Sequence, residues 1–171
     1  MNPASDPRLP APGTATTPAV SIAPARAVDA TRIAELFFAD MTDLGKAPDA
    51  DALLVLTENI LADDGCQVWV ARIGEDIAGM VVGMQQWSVK FAGRALWIEE
   101  LYVDPAFRRR GLGAHLVEAL VDWAAAAGYA GVELEAYRMN TGASVLYASL
   151  GFRRTARERY SFNLADWHED P

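Results

Sequence analysis

Apolar positions recur along this chain at two spacings, and the spacing switches repeatedly. Ile33, Leu36, Phe37 and Met41 fall on one helical stripe, with Asp29 or Thr31 placed to cap it and Gly45 to end it. Pro48 and Asp49 open a second helix that runs through Leu61, with Leu53, Leu56, Ile60 and Leu61 apolar, until Asp63, Asp64 and Gly65 stop it. Residues 21–27 read as a short first strand and residues 67–73 as a second. A hairpin turn at residues 74–76 leads into a long strand at 77–89, where Gly79 and Gly83 point to a bulge or a close backbone approach. A turn at 90–94 and a strand at 95–103 follow. Leu112, Leu116, Leu120 and Trp123 then line a helix over 112–127, ended by Gly128. Residues 132–137 alternate as a strand. Asn140 can cap a last helix over 141–150, ended by Gly151, and Tyr160, Phe162 and Leu164 share one face of a final strand. The order is β-α-α-β-β-β-α-β-α-β. Its central meander calls for a mixed α/β sheet rather than a purely parallel one.

The strand at 95–103 hands over to the helix at 112–127 through Arg108-Arg109-Arg110-Gly111-Leu112-Gly113. A glycine-bearing turn that opens a helix leaves several backbone N–H groups unpaired, and the helix dipole adds to their pull on anions. Three arginines add formal charge and bidentate donors. The turn therefore suits a phosphate or diphosphate. A P-loop would need a lysine and a hydroxyl after Gly113, and neither follows. A dinucleotide-binding turn would need a third glycine where Leu116 stands.

Composition narrows the picture. The chain has 171 residues, 51% of them apolar, which suits one domain with a sizeable core and no internal repeat. That domain is read over residues 21–171, behind a leader at 1–20 rich in Pro, Ala and Thr that reads as disordered. The formal net charge of −8 disfavours bulk nucleic-acid binding and makes the arginine turn a local exception. An acidic surface attracts amines, and equally it keeps a protein soluble. Cys66 is the single cysteine, so no intrachain disulfide or multi-cysteine zinc site can form, and its apolar neighbours mark it as a small buried hydrophobe. His115 and His168 lie far apart without metal-ligand spacing, and no metal is expected. His115 falls just past the glycine turn, either as a polar helix position or as a neighbour of a bound phosphate. No apolar run reaches transmembrane length, and residues 1–20 lack the apolar stretch of a secretory signal. The expectation is a cytoplasmic protein with no membrane or nucleic-acid partner.

Arg108-x-x-Gly111-x-Gly113 resembles the glycine signature of the GNAT superfamily of acetyl-CoA-dependent N-acetyltransferases. Two flanks strengthen the likeness. Tyr102-Val103-Asp104-Pro105 is similar to the family's strand ending, and Asn140-x-x-Ala143-x-x-Leu146-Tyr147-x-x-Leu150-Gly151-Phe152 to its later helix motif. The resemblance covers roughly residues 21 to 164 in topology and is specific from about 95 to 152. It implies a GNAT-type acyl-CoA N-acyltransferase fold, a central mixed β-sheet flanked by about four helices. It also implies acetyl-CoA as cosubstrate, a primary amine as acceptor, and direct transfer in a ternary complex. A homodimer is an arrangement many relatives adopt.

The resemblance also implies site residues. The backbone of Arg109, Arg110, Gly111, Leu112, Gly113 and Ala114 would grip the diphosphate, with Arg108 fixing the loop. The backbone of Leu101, Tyr102 and Val103 would offer an N–H to the thioester carbonyl, as such a carbonyl requires when it gathers charge. Tyr147 matches a tyrosine near the cofactor sulfur and would protonate the thiolate; otherwise it is a half-buried aromatic. Asn140 matches a cofactor contact and also serves as a plain N-cap. Glu99 and Glu100 are conspicuous inside an apolar strand, and adjacent strand residues face opposite sides. Glu99 is read as base or water-holder and Glu100 as a contact for a cationic substrate, against the alternative of salt-bridged strand carboxylates. Trp87, Asp40, Asp43 and residues 45–48 belong to elements that often shape the acceptor pocket in the family, and Glu135 and Arg138, near the end of the following strand, are further candidates to border the site. The acceptor is read as a small cationic amine. The alternatives are a protein or peptide amine and a non-catalytic acyl-CoA-binding sensor.

Overall fold

The structure, a computed structural model, describes residues 19–162 and Leu164. It divides the chain into two compact units, Met1–Glu135 and Ala136–Pro171. Most of the leader lies outside the described residues; Val20 already opens the first strand.

The first unit holds β1 (Val20–Pro24), α1 (Ala30–Asp43), α2 (Ala50–Ala62), β2 (Cys66–Ile73), β3 (Asp76–Ser88), β4 (Gly93–Val103), α3 (Leu112–Ala126) and β5 (Gly131–Leu134). The five strands form one sheet in the order β1-β2-β3-β4-β5. The first four pair antiparallel, while β5 joins β4 parallel, so the sheet is mixed. Residues 77–83 of β3 are buried on both faces, which is why this segment reads as a near-continuous apolar run. On one face Ile33, Leu36 and Phe37 of α1 and Ile60 of α2 pack against Val68, Val70, Met80, Val82 and Tyr102. On the other, α3 buries Leu112, Leu116, Val117, Leu120 and Ala124 against β2, β3 and β4. Gly83 lies under that helix, and a Cβ there would come within 2.8 Å of Leu96 Cδ2 and 3.1 Å of Leu120 Cδ2.

Helix ends follow local chemistry in two of three cases. The Asp49 carboxylate accepts from the N–H groups of Asp51 and Ala52 at 2.9 and 3.1 Å and starts α2. Asn140 does the same for α4 (Thr141–Ser149) in the second unit, accepting from Ala143 N at 3.0 Å. Asp29 precedes α1 but makes no cap bond with its side chain. Its buried carboxylate is taken instead by Arg72 Nη2 at 2.6 Å and by the Arg26 backbone N–H at 2.8 Å.

Two expectations are corrected. Strand β5 stops at Leu134 rather than at residue 137, because its partner β4 is displaced by a bulge one residue past the last pair. Tyr160, Phe162 and Leu164 lie in no strand and are 86%, 62% and 77% exposed. Alternation marks a face, but a strand also needs an edge to pair with, and the pattern does not name one. Among the described residues, no helix is long and apolar enough to cross a membrane.

Candidate active site

The site in the first unit begins with a defect in the sheet. Val82 faces Glu100 and Gly83 faces Ile98, so Glu99 is an extra residue bulged out of β4. On the other side, β4 and β5 pair only from Ala95↔Gly131 to Ile98↔Leu134. Among the described residues, the β5-side edge of β4 has no strand paired to it from Glu99 onward. Asp104 N–H donates to Ala78 O at 2.9 Å. The antiparallel alternation then makes Tyr102 with Met80, and Glu100 with Val82, the hydrogen-bonded pairs. Leu101 and Val103 therefore turn their N–H and C=O groups toward the open edge.

The two adjacent glutamates have different surroundings. Glu99 is exposed and accepts from Trp97 Nε1 at 2.8 Å. Glu100 is half-buried on the α1 side, where one carboxylate oxygen accepts from Leu101 N–H at 3.0 Å. It is also hydrogen-bonded to Asp40 of α1. Burial first, and then the Asp40 charge, push the Glu100 carboxyl up to about 7, against the Leu101 N–H, which favours the ionised form. Asp40 is also raised, chiefly by burial. Each carboxyl therefore holds a proton to higher pH than it would alone in water.

Asp43, one turn further along α1, ties the helix to β4 and to the arginine turn. Its Oδ2 accepts from Tyr102 OH at 3.1 Å and from Arg108 Nη2 at 3.2 Å. Burial and then the Asp43 hydrogen bond push the Tyr102 phenol up to about 12, so it stays protonated. Arg108 also donates Nε to Val103 O at 2.8 Å and lies over the Tyr102 ring at 5.1 Å. Its side chain is thus held against the protein.

Beyond Arg108 the backbone turns sharply. Arg109 has φ of 65° and Gly111, the residue before α3, has φ of 79°. Left-handed residues set among right-handed ones make a concavity of N–H groups. The first backbone bond of α3 runs from His115 N to Gly111 O at 3.1 Å, so Leu112, Gly113 and Ala114 direct their N–H groups outward without helical acceptors. The exposed Arg110 lies over Phe107 at 5.6 Å. Among the described residues, neither Arg109 nor Arg110 forms an ion pair. Free donors, a dipole end and two unpaired guanidinium groups fit a diphosphate. Gly111→Val is expected to lower the unfolding free energy by about 1–3 kcal/mol in urea titration, since a β-branched residue resists this φ. An unchanged midpoint would show that the turn does not depend on it.

In the second unit Tyr147 is half-buried on α4, its ring edge-on to Phe152 at 5.8 Å. Its carbonyl accepts from Phe152 N at 3.0 Å where Gly151 ends the helix. Glu135 closes the first unit and Arg138 lies in the second, both exposed. Sequence reasoning had no means of pairing Asp40 with Glu100, and the one hint was the shared carboxylate chemistry of two elements expected near the acceptor.

The model described as the Acetyltransferase (GNAT) family matches residues 30–152. Human N-acetyltransferase 8 is 30% identical over 102 residues, 60% of this chain and 45% of its own length. The ribosomal protein bS18-alanine N-acetyltransferase of Salmonella typhimurium is 43% identical over 68 residues, 40% of this chain and 46% of its own. The chain thus spans less than half the length of these curated relatives. An aminoglycoside N-acetyltransferase solved with CoA superposes with a TM-score of 0.77 at 19% identity, over 88% of this chain and 99% of that one. A ribosomal-protein-alanine N-acetyltransferase from Brucella melitensis does so with a TM-score of 0.71 at 23% identity, over 85% and 99%. At these identities the two structures show a common fold.

Proposed function

Because this chain belongs to the acetyltransferase (GNAT) family, we propose that it moves acetyl from acetyl-CoA directly to a primary amine, with a small cationic amine as acceptor. The observation that carries the reading is the edge of β4 that β5 leaves unpaired from Glu99 onward, with Glu100, whose carboxyl is pushed up to about 7, at its start and a turn with free N–H groups following it along the chain. The family match runs through both units, which supports residues 21–171 working as one domain.

Acetyl-CoA supplies an activated thioester. The N–H groups of Leu112, Gly113 and Ala114, with Arg109 and Arg110, hold its diphosphate, and Arg108 braces the loop. Leu101 N–H donates to the carbonyl oxygen, where negative charge gathers during attack. Glu100 accepts a proton from the acceptor's ammonium, which leaves the amine neutral and nucleophilic. The new C–N bond forms as the C–S bond breaks; Tyr147 gives its proton to the departing sulfur, and the second proton, which the nitrogen sheds as it becomes an amide, returns through solvent to the Tyr147 phenolate. Asn140 and Tyr147 lie in the second unit, and their roles rest on the family motif alone. Cys66 is no rival nucleophile, since burial and then Asp63 raise its thiol away from the reactive thiolate form.

Asp40, Asp43, Glu99 and Glu100 favour a cationic acceptor over a neutral one. A protein N-terminal amine is the second reading, favoured by the likeness to the bS18-alanine enzyme. Thiol release should be measured with polyamines, amino acids, aminoglycosides and an alanine-ended peptide. Release with any small amine supports the first reading, and release with the peptide alone supports the second. Silence on all of them, with acetyl-CoA still bound, points to a non-catalytic sensor. Tyr147→Phe should lower kcat about 10²-fold, the low end for a lost acid, with the acetyl-CoA Kd unchanged in titration. An unaltered kcat would remove the tyrosine from the mechanism.

A further inference from the structure

We propose that Glu100 occupies the Leu101 N–H until the carbonyl of the acyl donor displaces it, so that donor binding itself changes how tightly this carboxyl holds a proton. The inference rests on the acetyl-transfer reading above and concerns the order in which that site assembles.

The Leu101 N–H is one donor with one hydrogen, directed at the open edge of β4. Glu100 already accepts it at 3.0 Å, through the carboxylate of the residue immediately before. A thioester carbonyl cannot take the same hydrogen in good geometry while that oxygen stays. Displacement does not leave Glu100 stranded, because its carboxyl is also hydrogen-bonded to Asp40. It does change the carboxyl's chemistry. The N–H stabilised the ionised form, and its loss makes the carboxylate hold a proton more tightly. The other charged and titratable neighbours are Asp40 and Asp43 from α1, Glu99 and Tyr102 from β4, and Arg108 from the turn, and Asp43 already pairs with Arg108 and Tyr102. The facing β3 residue, Val82, offers no charge. The freed carboxylate therefore draws a proton, from the acceptor's ammonium when an amine is bound and from solution when it is not.

The test is calorimetric titration of the full chain near pH 7 with acetyl-CoA and with CoA, in buffers of different ionisation enthalpy. The number of protons taken up on binding is read from the buffer dependence. CoA lacks the acetyl carbonyl, so acetyl-CoA is expected to draw more protons than CoA. Glu100→Gln should make the two ligands equal, with both still bound. Equal proton uptake by the wild-type protein overturns the inference and leaves acetyl transfer standing. A difference that survives in Glu100→Gln also overturns it, because another group would then be responsible. If acetyl-CoA does not bind at all, the acetyl-transfer reading fails and the inference fails with it. The wild-type comparison decides even if the variant does not fold.

Discussion

Glu100→Gln is expected to lower kcat about 10²–10⁴-fold, the range for losing a general base. The amide keeps the shape of the side chain but cannot take a proton from an ammonium group. The wild-type rate should rise with pH from about 7 upward, as the carboxyl loses the proton that burial and Asp40 make it retain. That limb should vanish in the variant. Glu99→Gln should leave the rate near that of the wild type, since its exposed side chain is bonded to Trp97 rather than to the acidic pair. Steady-state kinetics from pH 6 to 9 checks all three statements, and a variant with the parental rate and the parental limb would exclude Glu100 as the base.

The same substitution bears on stability. The folded state holds the Glu100 proton more tightly than the unfolded chain does, since the carboxyl moves from an ordinary value of 4.5 to about 7. The stability this contributes is fully present below the ordinary value and is lost as pH rises through about 7. At pH 8 the carboxylate is a liability to the fold, and Glu100→Gln should raise the urea midpoint there. Active sites commonly retain such groups at a cost in stability.

Asp29→Ala is expected to lower the unfolding free energy by about 3–5 kcal/mol, the loss that follows when one member of a buried ion pair is removed. Asp29 is only 4% exposed, and Arg72, the partner left behind, has a side chain 18% exposed. The exposed Arg26 side chain contributes less. The carboxylate joins three elements: the turn after β1, the start of α1, and β2 at Arg72, beside the register shift that leaves Ala78 of β3 unpaired. Burial pushes its carboxyl up, but the hydrogen bonds from Arg72 and Arg26 outweigh this and hold it below the ordinary value of 3.8. Its contribution to stability is present above that value and is lost as pH falls through the lower folded one. Urea unfolding at pH 7 measures the loss. If Asp29→Ala does not fold, Asp29→Asn, which keeps an acceptor for Arg72, gives a smaller shift. Parental midpoints in both would show that the pair is dispensable.

The helices were legible because each announces itself within a few residues. The stripe of Leu112, Leu116 and Leu120 and the cap at Asp49 needed no distant partner. The arginine-glycine turn was equally local, since its N–H groups are set free by the start of α3 itself. Gly79 and Gly83 correctly marked irregular points of the sheet, with a register shift beside each, at Ala78 in β3 and at Glu99 in β4. The local pattern misled at residues 160–164, where an alternating segment pairs with no strand.

Two features were beyond any local reading. The sequence reading took Glu99 as base or water-holder and Glu100 as a substrate contact, yet the bulge puts Glu99 in solvent and Glu100 beside Asp40. Asp29 reads as a helix cap and instead serves Arg72 across the fold.

The sequence by itself determined the helices, the central strands and the turn with free N–H groups that opens α3, because periodicity, caps and glycine torsions act over a few bonds. Only the tertiary structure decided which carboxylate retains a proton. A proton affinity depends on burial and on charges within a few ångströms, and for Glu100 the foremost of those charges is Asp40 of α1, far away along the chain.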